Sequence, residues 1–78
     1  MPRYYFNLYD DDVTVDEEGK ELPDLETAHT HALENVRAIA CEELREGYLH
    51  LAHRIDVLDE QGRLALTVTF RESFTLEE

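Results

Sequence analysis

Seventy-eight residues suffice for one domain, residues 1–78, built around a single core, because a chain of this size buries only roughly 60% of its unfolded surface. With 42% hydrophobic residues, including four Tyr and three Phe, the chain is too apolar to stay disordered. Nineteen acidic against seven basic side chains leave a formal charge of -12, which repels phosphate backbones and anionic headgroups, so neither nucleic acid nor a membrane is expected as a partner.

From Arg3 to Tyr9 aromatic and aliphatic residues dominate, with Tyr4, Phe6 and Leu8 at one parity and Tyr5, Asn7 and Tyr9 at the other, the pattern of a strand. Asp10, Asp11 and Asp12 favour a turn, and Val13, Thr14 and Val15 then resume β-type residues, giving a hairpin with a short second arm. A second acidic run, Asp16 to Glu18, ends at Gly19 in a loop before Leu22 and Pro23. Asp24 is a sound N-cap. Leu25, Ala28, Ala32, Leu33, Val36, Ile39, Ala40 and Leu44 fall on one face of a helix from about Leu25 to about Glu46, stopped by Gly47. At 1.5 Å per residue such a helix is on the order of 33 Å long, so its ends overhang strands of about 20 Å. Arg54 to Leu58 and Leu64 to Phe70 alternate as strands about a turn at Asp59 to Gly62, and the acidic end of the tail after Ser73 is expected to fray. The expected fold is α+β in the order ββαββ, an antiparallel sheet of three to four strands with one long helix on one face.

The lone Cys41 is read as a small buried hydrophobe, and a single cysteine favours a reducing, cytoplasmic setting. Neither an export signal nor a stretch approaching the roughly 20 apolar residues of a membrane span is read in the sequence. The opening Met-Pro-Arg-Tyr-Tyr-Phe, the block from Asp16 to Ala28, and the block from His53 to Arg63 resemble a family of short bacterial proteins of unknown function. That resemblance covers nearly the whole chain and implies no activity, ligand or catalytic residue. From Tyr4 to about Ala40 the chain also resembles HicB-like antitoxins, in the succession of hairpin, acidic loop, Leu-Pro-Asp turn and Ala-rich helix, although it lacks their Pro-Gly-Cys sequence after the turn. This second likeness implies fold type alone.

The acidic runs fail the spacing of an EF-hand loop: a loop starting at Asp10 puts Val15 where Gly belongs, and one starting at Thr14 ends on Leu25 instead of Glu. Zinc needs converging His or Cys. His29 and His31 lie about 200° apart around the helix, Cys41 sits on a third side, and His50 and His53 are expected to meet only if their segment is helical. No metal site and no cofactor are therefore expected. His29 lies at an azimuth within the apolar face, as a core-edge histidine or as a ligand or pH-sensing group. No serine or cysteine with a base and an oxyanion donor set, and no phosphate-cradling glycine motif, suggests an enzyme.

By parity the uncovered sheet face carries Tyr5, Asn7, Tyr9, Arg54, Asp56, Leu58, Ala65, Thr67 and Thr69. Tyr5, Tyr9, Arg54 and Thr67 are the residues expected to bind a partner, Tyr and Arg being frequent interface anchors. A non-catalytic module that self-associates or binds a partner protein, through this face or a sheet edge, is the leading reading. A small-ligand or cation sensor and an antitoxin-like toxin neutraliser remain open beside it.

Overall fold

A computed structural model describes residues 1–75 and 77. Its elements are β1 (Arg3–Tyr9), β2 (Val13–Thr14), β3 (Lys20–Glu21), α1 (Leu25–Arg45), β4 (Arg54–Leu58), β5 (Leu64–Thr69) and a 3-10 turn at Arg71–Ser73. One antiparallel sheet runs β2-β1-β4-β5, with β3 also paired to β1, and α1 packs against one side of it, an α+β fold. The sheet has five strands because the loop after Gly19 contributes one: Lys20 and Glu21 return to pair with Tyr4 and Arg3. Two polar residues carry no alternation for a sequence pattern to detect.

Asp24, in an extended conformation, opens α1 by accepting the Thr27 N–H at 2.8 Å. Ala28, Ala32, Val36 and Ala40 are buried, and their small side chains let the helix settle close onto Tyr4, Ile55, Val57, Val68 and Phe70. Leu25 and Leu44, at the two ends of α1, are 40% and 61% exposed. This is the expected overhang, since a helix of 21 residues spans about 31 Å while the strands have seven residues at most.

A buried stripe stepping by four residues drifts about 40° around the helix at each step. Its start is therefore centred on Ala28 and Ala32, and His29 falls to the side and is exposed, which corrects its expected place at the core edge. Cys41 is exposed rather than buried, because the stripe passes through Ala40 and its neighbour points away. Phe6 faces the helix as expected but is only partly buried, its ring edge-on to His31 at 4.8 Å, whereas Phe70 is the large ring fully enclosed. Ser73 is buried in the 3-10 turn, where its hydroxyl donates to the Phe70 carbonyl at 2.7 Å. The fraying expected at the end of the tail concerns residues that include Leu76 and Glu78, which lie outside the described residues.

The β4–β5 hairpin closes on Asp59, whose Oδ1 accepts the N–H groups of Gln61 and Arg63, both at 2.9 Å. Val57 pairs with Leu66 but Leu58 pairs with Leu64, so Ala65 is an extra residue in β5. That bulge shifts Leu64, opposite Leu58, onto the face away from the helix, where the plain alternation of the sequence does not place it.

Candidate functional site

On the side of the sheet away from α1, strand register stacks side chains in three rows: Tyr5–Leu58–Leu64, Asn7–Asp56–Thr67 and Tyr9–Arg54–Thr69. The structure thus brings Tyr9, Arg54 and Thr67 together around Asp56. The Arg54 guanidinium lies 4.3 Å from the Tyr9 ring centroid, its Nε donates to Asp56 Oδ1 at 3.2 Å, and the Thr67 hydroxyl donates to the same oxygen at 2.9 Å. One positive and one negative charge cancel at the centre of this face. Tyr5 lies on the same face at the other end, in the apolar row with Leu58 and Leu64, and Leu64 is 60% exposed.

The β1 edge of this face is closed by a single carboxylate. Between the pairings with β2 and β3, the Phe6 N–H finds no strand and donates to Asp16 Oδ2 at 3.1 Å. Asp16 Oδ1 accepts from Gly19 and Glu18, and the Asp16 N–H donates to Asn7 Oδ1 at 2.9 Å, which explains why Asn7 is buried on an otherwise open face. Burial pushes the Asp16 carboxyl up, but the N–H groups of Gly19, Phe6 and Glu18, with the charge of Arg3, hold it below its ordinary value of 3.8. Gly19 is required here: its φ is +70°, and a Cβ would lie 2.8 Å from the Tyr5 ring. No such closure is found among the described residues along β5, apart from Glu72, whose carboxylate accepts the Thr69 N–H at 2.7 Å.

A second constellation sits at the far end of β1. His50 and His53 stack at 4.4 Å between centroids although their segment is a turn, closed by His53 N–H to the His50 carbonyl at 3.2 Å. This corrects the expectation that only a helix brings them together. Glu43, buried in α1, organises the turn: Oε1 accepts the His50 N–H at 2.9 Å and Oε2 lies 3.2 Å from His53 Nδ1. Sequence reading missed Glu43, yet a signal was present, since Val36, Ala40 and Glu43 continue the buried stripe at helical spacing. Because Tyr9 pairs with Arg54, the turn after Tyr9 meets the residue before Arg54, and Asp11 Oδ1 comes within 3.8 Å of His53 Nε2. Among the described residues, one ligand atom each from Asp11, His50 and His53 lie within 4.8 Å of one another.

A third feature is a groove of about 340 Å³ between the C-terminal half of α1 and the segments at Leu49 and Phe74. Its walls are largely apolar and Cys41 opens onto it.

The family described as Domain of unknown function (DUF6894) matches residues 3–71, so the chain belongs to that family. No curated protein and no solved structure matches at a significant level. Among the described residues, no helix is long and apolar enough to cross a membrane.

Proposed function

We propose that this member of the family is a non-catalytic interaction module that self-associates through the open face of its sheet. The observation that carries the reading is the apolar row Tyr5–Leu58–Leu64 beside the internally neutralised Arg54–Asp56 pair, on a chain of net charge -12. Two copies repel each other over most of their surface, and this face is where they approach without juxtaposing like charges. Tyr5 and Tyr9 supply rigid rings, Arg54 already lies over the Tyr9 ring, and Leu64 protrudes at the end of its row. Little side-chain entropy is left to lose on contact.

The partner that fits is a second copy of the chain. The test is light scattering over a wide concentration range at low and at moderate salt. Association that rises with concentration and strengthens with salt, as screening relieves the remaining repulsion, supports the reading. A monomer under all conditions overturns it.

A further inference from the structure

The geometry points to a site for one divalent transition-metal ion of the zinc class, held by His53, His50 and Asp11 and organised by the buried Glu43. His53 is the fixed ligand. Its side chain is only 13% exposed, its ring stands edge-on to Phe70 at 5.5 Å, and Glu43 Oε2 lies 3.2 Å from Nδ1. A carboxylate on Nδ1 retains the proton there and leaves the Nε2 lone pair free, the arrangement by which a carboxylate orients a metal-binding imidazole. Nε2 faces Asp11.

The other two ligands are the adjustable ones. The Asp11 side chain is 86% exposed and that of His50 is 48% exposed. Around a tetrahedral zinc with bonds of about 2.0 to 2.1 Å, ligand atoms sit roughly 3.4 Å apart. The 3.8 Å between His53 Nε2 and Asp11 Oδ1, and the 4.8 Å that bounds the cluster, therefore contract by about 0.4 to 1.4 Å on binding. His50 is stacked on His53, so its ring swings out of the stack to direct a nitrogen at the ion. Glu43 already holds the His50 backbone through its N–H, which keeps the pivot in place while the ring turns. Two imidazoles and one carboxylate, with water in the fourth position, suit zinc, cobalt or nickel better than calcium or magnesium, which take oxygen ligands.

This site is separate from the open face, and each proposal stands without the other. The probes are zinc chloride in calorimetry and cobalt(II) in visible absorption, applied to the full chain, with far-ultraviolet circular dichroism to verify folding of each variant. One zinc per chain, and cobalt bands of four-coordinate character that zinc abolishes, are expected. His50→Ala, at an exposed position, removes the bands. Glu43→Gln retains the stoichiometry but weakens binding about 10- to 100-fold, as loss of an orienting carboxylate does. His29→Ala, remote on the helix, changes nothing. Absence of a stoichiometric zinc site overturns the proposal, as does binding undiminished in a folded His50→Ala chain, which assigns the ion to the acidic surface at large.

Discussion

The two faces of the sheet are built from the same paired strands but are held by different means. The helix face is sealed by packing: Tyr4, Ile55, Val57, Val68 and Phe70 meet a helix stripe of small residues, and none of the buried side-chain polar atoms among the described residues lacks a partner. The open face is held by directional bonds, with Asp16 standing in for a strand and Asp56 gathering Arg54 and Thr67. Packing is indifferent to pH and tolerates little loss of volume, whereas the bonded face responds to protonation and gives up stability in smaller steps. The division also separates roles, since the sealed face fixes the fold and the bonded one remains accessible.

The sharpest way to break this contrast is Phe70→Ala. It removes the largest fully buried ring and is expected to cost about 3 to 5 kcal/mol, most of the roughly 5 kcal/mol a small domain holds. Urea denaturation should find the variant largely unfolded at room temperature. A loss below 1 kcal/mol would mean that packing on the helix face is not what holds the sheet.

Asp16→Asn probes the bonded face and is expected to cost about 2 kcal/mol, because a neutral amide replaces a carboxylate that accepts three N–H groups. The Asp16 carboxyl is held below its ordinary value of 3.8, so its contribution is complete above that value and is lost as pH falls through the lower folded value. The stability difference between wild type and Asp16→Asn should therefore be constant near neutrality and shrink in acid below about pH 4. Thermal melts of both proteins across that range give the answer, and a difference independent of pH would remove the carboxylate from the account. Asp56→Ala is expected to cost less, about 1 kcal/mol, because Arg54 and Thr67 turn to water on an open face.

The same contrast decides what was legible in the sequence. Alternation at Tyr4, Phe6 and Leu8, at Ile55 and Val57, and the stripe from Ala28 to Ala40 identified the helix face, because burial against a helix imposes a period on the residues. Tyr9, Arg54 and Thr67 were assignable to the open face on the same grounds, and register then gathers them around Asp56. What alternation does not encode is a change of count or a long-range bond. The extra residue Ala65 moves Leu64 across the sheet, Asp16 reaches back to Phe6, and Glu43 draws His50 and His53 into one turn. Each depends on a single residue placed by the folded chain: helical spacing announces the burial of Glu43 but not its partners, and neither repeat nor spacing announces the other two.

Leu64 and Leu44 provide the closest test of the open face as an interface, because they are leucines of nearly equal exposure, 60% and 61%, on the open face and at the end of α1. Changing either to Lys is expected to alter stability by no more than about 0.5 kcal/mol, as surface substitutions usually do. Both variants gain the same charge, so any difference in association comes from position. The measurement is sedimentation velocity of wild type, Leu64→Lys and Leu44→Lys over the same concentration series at moderate salt. Wild type and Leu44→Lys should show the same rise in sedimentation coefficient with concentration, while Leu64→Lys remains at the monomer value. A Leu64→Lys variant that associates as wild type does, or loss of association in Leu44→Lys alone, would contradict assembly through the open face.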